Sequence, residues 1–229
     1  KAGDSNVSNT DGSITSTVRA NDTYGFSIVD FTTTGGSQTV GHGLTTAPDM
    51  VIVKSRDVSG SWFVQHTSIL ATQLLRLETS DAAFTSSNLD STFPTSSVFS
   101  INLGAGNNIA YCWAEKTGYS KFGSYTGTGN TTGPTVSCGF APALVIIKRT
   151  DSADNWVLLD NTRDVVNPAG KYLLADSSQA EATYSTVIVD LNDTSFQPVG
   201  SANNINASGG TYIYAAFADT REAAFWLDQ

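Results

Sequence analysis

The chain has 229 residues, of which 14% are charged, and its formal net charge is −9 with an isoelectric point near 4.4. This acidic balance argues against nucleic acid and anionic membranes as partners, because both attract cationic surfaces. No apolar run approaches the ~20 residues of a transmembrane helix, so we expect no membrane insertion. Ser, Thr, Asn and Gly are abundant, a composition that favours β structure over helix.

One stretch occurs twice with the same spacing. Residues 47–54 read Ala-Pro-Asp-Met-Val-Ile-Val-Lys, and residues 141–148 read Ala-Pro-Ala-Leu-Val-Ile-Ile-Lys. Each copy also has a tryptophan further along the chain after its lysine, Trp62 in the first copy and Trp156 in the second. The offset between the two copies is 94 residues at every matched position. A spacing shared over this length predicts an internal duplication with two superposable units.

The first half of the chain divides into two predicted segments. Residues 1–23 are interpreted as a strand or linker from a preceding module, and residues 24–117 as the first repeat. Within that repeat, the apolar run 50–54 predicts a central strand and 62–66 its returning partner. The leucines of 69–78 fit both helix and strand spacing, and we expect a short turn or helix followed by a strand.

The second repeat is predicted to cover residues 118–219. Residues 213–219 align with 109–115 at an offset of 104 instead of 94, so the second repeat carries about ten extra loop residues. Residues 220–229 are interpreted as the start of a following module. Each repeat shows about six or seven short strands separated by Gly, Asn, Ser and Pro turns. The predicted fold is therefore all-β, with two tandem antiparallel β-sandwiches of jelly-roll or lectin-like type.

Residues suited to catalysis are few. His42 lies between two glycines, where we expect an exposed side chain, and His66 corresponds to Asp160 in the second repeat, so the fold does not require an imidazole there. Asp57 and Asp151 recur where each hairpin loop begins, and an Asp in that place is expected to bond its own backbone. No nucleophile elbow, phosphate loop or zinc-protease motif is present. We therefore expect no enzymatic activity.

Metal and cofactor sites have equally little support. Cys112 and Cys138 lack the spacing of a zinc site and are expected to be small buried residues, although a disulfide between them is left open. Residues 190–193 resemble a calcium-binding loop only weakly. A surface calcium site formed by loop carbonyls is also left open as an alternative. We expect no cofactor.

The aromatic residues allow two interpretations. Trp62 and Trp156 begin equivalent strands, and Trp113 and Phe217 occupy equivalent strand centres, so packing is the expected role of all four. Exposed aromatic rings on a sandwich can also stack on sugars.

Loop aromatics are the other candidates for sugar binding. Phe84, Phe93 and Tyr184 are the candidate glycan contacts, in the loops around 79–97 and 176–185. This choice depends only on binding groups being common in loops.

Several phrases together resemble a β-rich domain of large structural proteins in marine tailed phages, including cyanophages. The resemblance extends from about residue 12 to 228, and the phrases are residues 12–18, 25–29, 41–44, 109–113, 119–127, 148–151 and 206–214. In that family, tandem sandwiches are embedded in tail or fibre polypeptides. Residues 219–226 resemble the sequence that leads into the next module in that family. The family supplies no catalytic residue.

The resemblance implies a non-enzymatic virion structural protein of the tail fibre or tail spike type, at the particle surface, that contributes to host attachment. Its partners would be other virion proteins and copies of itself. A trimer is expected for this class, although the sequence does not count subunits. The alternatives are a carbohydrate-binding module for host surface glycans, a capsid decoration protein and, as a third possibility, a polysaccharide depolymerase.

Overall fold

The computed structural model of the chain describes residues 2–183 and 187–219. Within these ranges, strands dominate and every pairing between named strands is antiparallel. The predicted all-β, sandwich-like fold with antiparallel sheets is thus confirmed. The chain divides into two compact units, unit 1 (Lys1–Glu78 and Ala83–Lys116) and unit 2 (Thr79–Ala82 and Thr117–Gln229).

Unit 1 contains an eight-stranded sheet and a two-stranded ribbon. The sheet strands are β1 (Val7–Asn9), β2 (Ser16–Asn21), β3 (Phe26–Thr33), β5 (Met50–Ser55), β6 (Phe63–His66), β7 (Gln73–Arg76), β8 (Phe84–Thr85) and β10 (Gly106–Trp113). Their order is β1-β2-β3-β10-β5-β6-β7-β8. The ribbon pairs β4 (Gly36–Gly41) with β9 (Val98–Leu103).

The core of unit 1 lies between the sheet and the ribbon. Along β3, burial alternates, so Val29 and Phe31 are buried while Asp30 and Thr32 are exposed. The Phe31 ring meets the edge of Phe99 on β9, with centroids 5.8 Å apart and planes at 75°. The period of two follows from the pleat, which turns successive side chains to opposite faces.

The N-terminal segment is part of unit 1 and not a separate linker. β2 pairs with β3 over six residues, and Val18 of β2 is only 4% exposed within the core. The predicted segment 1–23 therefore contributes two strands, β1 and β2, to the eight-stranded sheet.

Unit 2 contains a six-stranded sheet, a three-stranded sheet and one helical turn. The larger sheet consists of β11 (Ser120–Thr126), β13 (Pro142–Arg149), β14 (Val157–Asp160), β15 (Lys171–Leu174), β16 (Ala182–Thr183) and β19 (Thr211–Ala218). Its order is β11-β19-β13-β14-β15-β16. The smaller sheet has the order β12-β18-β17, from β12 (Val136–Ser137), β17 (Val189–Leu191) and β18 (Ser195–Pro198), and the helix is α1 (Asn203–Asn206).

An aromatic cluster connects the two sheets of unit 2. Phe196 of β18 meets Tyr125 at 6.0 Å and 75°, and Tyr214 at 5.1 Å and 74°. Tyr125 also stacks on Tyr212 at 4.9 Å. The Tyr125 and Phe196 pair thus has nearly the same geometry as Phe31 with its partner ring in unit 1, where both rings are phenylalanines.

The larger sheets of the two units have matching strand orders. The order β3-β10-β5-β6-β7-β8 in unit 1 corresponds strand by strand to β11-β19-β13-β14-β15-β16 in unit 2. In both, the last strand of the unit is inserted between the first strand of this series and the doubled apolar strand.

Cys112 and Cys138 are both buried thiols, as expected. Cys112 is fully buried in unit 1, where burial raises the pKa of its thiol far above the ordinary range, and Cys138 is 7% exposed in unit 2. A thiol with a raised pKa is a poor nucleophile, because the thiolate is the reactive form. In the described ranges, no helix has the length and apolar character needed to cross a bilayer.

Candidate functional site

The lysine of the doubled stretch braces the backbone in each unit. Lys54 Nζ donates to the carbonyl oxygens of Ser55 at 2.6 Å and Val58 at 3.0 Å. Lys148 Nζ donates to the carbonyl oxygens of Arg149 at 2.8 Å and Ser80 at 3.2 Å. Each lysine therefore binds the carbonyl of the next residue and a loop carbonyl.

The two lysines differ in burial. Lys148 is fully buried, whereas Lys54 is partly exposed. Burial lowers the pKa of Lys148 to about 8, although the carboxylates of Asp176, Asp154 and Asp81 act in the opposite direction. A buried ammonium surrounded by carbonyls and acids stays charged at neutral pH. It loses its proton at a lower pH than an ammonium in water does, because burial disfavours the charged form.

Asp57 and Asp151 have equivalent cross-strand roles. Asp57 Oδ2 accepts the backbone N–H of Asn107 at 2.6 Å, and Asp151 Oδ1 accepts that of Thr211 at 3.0 Å. The hydrogen bond from the Asn107 N–H lowers the pKa of Asp57, and the Arg149 side chain lowers that of Asp151. The expected structural role is present, but the main partner is the start of a distant strand instead of the local backbone.

His66 and Asp160 perform the same task with different chemistry. Nδ1 of His66 accepts the N–H of Ser68 at 3.0 Å, and Oδ1 of Asp160 accepts that of Thr162 at 3.0 Å. Both acceptors terminate a strand by binding the backbone two residues later. An imidazole nitrogen and a carboxylate oxygen both serve as the acceptor of this hydrogen bond, and Asp160 in addition pairs with Arg163 Nε at 2.6 Å.

His42 is fully buried, so the expectation of an exposed side chain is wrong. Its Nδ1 accepts the N–H of Leu44 at 3.1 Å, and its Nε2 lies 3.1 Å from the Thr95 carbonyl oxygen. These partners require a neutral ring with the proton on Nε2. Burial lowers the pKa of His42 more than the Thr95 carbonyl raises it. The glycines allow a tight turn that folds the ring inward.

Two of the three predicted glycan contacts lie in the described structure, and their surroundings differ. Phe84 is partly buried on β8, and the guanidinium of Arg76 covers its ring at 4.1 Å from the centroid. Phe93 is 41% exposed beside Pro94 and Gln65. Tyr184 lies outside the described residues.

An unpredicted row of four aromatic rings lies on the face of the eight-stranded sheet opposite the core cluster of unit 1. Its consecutive members are Phe26, Trp113, Tyr111 and Trp62, which we call the aromatic row. Their centroids are 5.0, 6.3 and 6.5 Å apart, and successive planes differ by 32°, 29° and 16°. All four rings are half-buried. Nearly parallel rings at these distances interact with one another along the sheet.

Unit 2 does not repeat the aromatic row. By strand register, Ser120 takes the place of Phe26, and Ala215 takes the place of Tyr111. Trp156, the counterpart of Trp62, is only 3% exposed. The sequence carried a signal for the row, because Tyr111 and Trp113 alternate along one strand, but the neighbours on other strands depend on pairing.

The described residues contain no group of three or more His, Cys, Asp or Glu side chains placed to hold a metal ion. No curated protein and no solved structure matched the chain significantly. A family described as a domain of unknown function, DUF7483, matches residues 1–221. The chain therefore belongs to the DUF7483 family.

Proposed function

We propose that the chain is a non-enzymatic structural component of a tailed-phage virion, of the tail fibre or tail spike type. The supporting observation is how its reactive residue types are used. At equivalent positions of the two units, lysine, aspartate and the histidine–aspartate pair all bind backbone groups at strand ends. Side chains that recur as braces belong to a scaffold, and the resemblance to phage structural proteins gives the scaffold its setting.

The partners in this proposal are other virion proteins and further copies of the chain. Cryo-electron microscopy of intact particles tests the proposal, because density for the two-unit sandwich must be found on the tail. Density on the head would instead identify a capsid decoration protein. A particle without this density contradicts a virion role.

We propose, as a second candidate, that the chain recognises host surface glycans. The aromatic row favours this function, because stacking on π faces is how proteins hold the apolar faces of sugar rings. Among the described residues, the equivalent strand positions of unit 2 do not form such a row, as expected for an acquired binding surface and not for a packing requirement of the fold.

A glycan array tests the second candidate, with the chain presented as an oligomer to raise avidity. Tyr111→Ala removes the middle of the aromatic row, and we expect a loss of about tenfold in affinity, equivalent to about 1.4 kcal/mol, because the variant lacks a central aromatic contact. Leu173→Ala, which removes an exposed apolar side chain on β15 of unit 2, is the control and is expected to bind normally. An array without hits, or a Tyr111→Ala variant that binds as well as the unaltered chain, contradicts the role of the row.

We also propose that the two units arose by duplication. The 94-residue offset, the matching strand orders and the equivalent ring pairs support this history. The ten extra residues of the second repeat then mark a place where the copies diverged.

A further inference from the structure

An open cleft of about 260 Å³ lies at the end of unit 1 where β9 turns into β10. Val53, Phe63 and Leu103 line it, and all three belong to the hydrophobic core or pack against it. Gly104 and Ala105 of the β9–β10 turn form one wall, and the β5–β6 loop forms the other. The cleft thus reaches the core from the open end of the sandwich.

The chain itself fills the corresponding end of unit 2. There, the connection from β18 to β19 is residues 199–210, which include α1, instead of a two-residue turn. Tyr212 takes the register position of Asn108 and is fully buried. Its hydroxyl donates to the Asn203 carbonyl at 2.5 Å and accepts the Ala207 N–H at 2.7 Å. An aromatic ring with a polar tip therefore occupies the end of unit 2 that is open in unit 1.

Asn108 supplies a hydrogen-bond acceptor to the cleft. It is 3% exposed, and its Nδ2 donates to Thr33 Oγ1 at 3.2 Å and to the Gly106 carbonyl at 2.8 Å. Within the described part of the chain, no hydrogen bond ends on its Oδ1. Asn108 lines the cleft, so this oxygen is a position for a ligand donor or for water.

We propose that this cleft binds an aromatic ring that carries one hydrogen-bond donor, of the phenol or indole type. The ring packs on the apolar lining, and its O–H or N–H donates to Asn108 Oδ1. The volume is below the ~300–1,000 Å³ of sites for drug-sized ligands, so one ring is the fitting size. The ring comes either from a free small molecule or from a Tyr or Trp side chain of another polypeptide. The proposal is independent of the virion role.

Titration of the ¹⁵N-labelled chain with p-cresol or indole, followed by amide NMR, tests the proposal. We expect saturable shifts at Ser55, Gly104 and the Asn108 side-chain amide. The probes 4-methylanisole and 1-methylindole lack the donor and are expected to bind roughly tenfold more weakly. Absence of saturable shifts at millimolar probe, or equal binding of probes with and without the donor, overturns the proposal.

Two variants block the cleft from opposite walls. A Cβ added at Gly60 or at Gly104 meets no atom within 4 Å, so Gly60→Phe and Gly104→Phe add bulk at two lining positions without a clash at Cβ. Ser59→Phe adds the same bulk to an exposed neighbour outside the cleft and is the matched control. We expect a blocking variant whose amide spectrum remains native to lose the p-cresol shifts, and the control to keep them. Native-like binding by both blocking variants overturns the proposal.

The source of the ring is distinguished by comparing p-cresol with the peptide Ala-Ala-Tyr-Ala-Ala. Tighter binding of the peptide identifies a polypeptide side chain as the ligand, whereas binding of p-cresol alone identifies a free small molecule. Both results support the cleft as a site for such a ring.

Discussion

Polar side chains that are buried in this fold hold backbone groups in place, and their ionisation couples stability to pH. Lys148 and His42 are the clearest cases, since both are fully buried and both have their pKa lowered by burial. In each case the unfolded chain binds a proton more readily than the folded chain does. Stability must therefore rise with pH across the interval between the pKa of the group in the folded protein and its pKa in the unfolded chain.

For Lys148, the interval runs from about 8 in the folded protein to 10.5 in the unfolded chain. The free energy of unfolding is expected to gain about 3 kcal/mol across it, because the folded state releases this proton first. Urea denaturation at a series of pH values measures the gain. Lys148→Met, which has no charge, and Lys148→Arg, which keeps its charge, should both lack it. Parallel curves for the unaltered chain and both variants would contradict the assignment.

For His42, stability is fully present above pH 6.5 and is lost as the pH falls below that value. The cause is that the unfolded imidazole takes up a proton that the buried ring resists. His42→Gln cannot titrate, so its stability should depend less on pH between 5 and 7. His42→Ala leaves the Leu44 N–H and the Thr95 carbonyl without partners and should cost about 2–4 kcal/mol. Equal pH slopes for the unaltered chain and His42→Gln would refute this role.

The connection before the last strand differs in length between the two units. In unit 1, two residues suffice, whereas in unit 2 the longer connection carries α1, whose ends have no side-chain cap. Asn206, the last residue of α1, binds neighbouring loops. It is fully buried, its Oδ1 accepts the Thr128 N–H at 2.8 Å, and its Nδ2 donates to the Asn130 and Gly200 carbonyls.

Asn206→Ala is expected to lower the free energy of unfolding by about 2–4 kcal/mol, since three backbone groups lose their partner. Asn204→Ala is the matched control on the same helical turn, because its Oδ1 has no hydrogen-bond partner among the described residues. The control should change stability by less than about 1 kcal/mol. Urea denaturation of both variants measures the difference. Comparable losses of stability in the two variants would show that any alanine substitution destabilises α1, and that Asn206 has no special role.

The proposed virion role predicts that the chain assembles with copies of itself. Size-exclusion chromatography with light scattering is expected to detect a homo-oligomer at micromolar concentration. The physical reason is that fibre and spike proteins gain their rigidity from contacts between copies. A strict monomer under these conditions would count heavily against a tail fibre or spike, and would favour the glycan-binding alternative.

Much of the fold could be predicted, because its signals are local. The doubled apolar run became β5 and β13, and the ambiguous residues 69–78 contain a turn followed by β7, as expected. The one-turn helix α1 was missed, since four residues give no helical periodicity. The burial of His42 was also missed, because flanking glycines indicate a turn but not the direction in which its side chain folds.

The sequence by itself determined the strand pattern, the 94-residue offset and the extra loop of the second repeat, because alternation, turn residues and spacing are read along the chain. Only the tertiary structure decided which side chains became neighbours. Phe26 and Trp113 lie in paired strands far apart in sequence, and the aromatic row depends on that register. The cleft in unit 1 likewise exists because the turn there is short. In unit 2, α1 and Tyr212 occupy the corresponding space. Strand pairing is non-local, and it is there that the candidate sites arise.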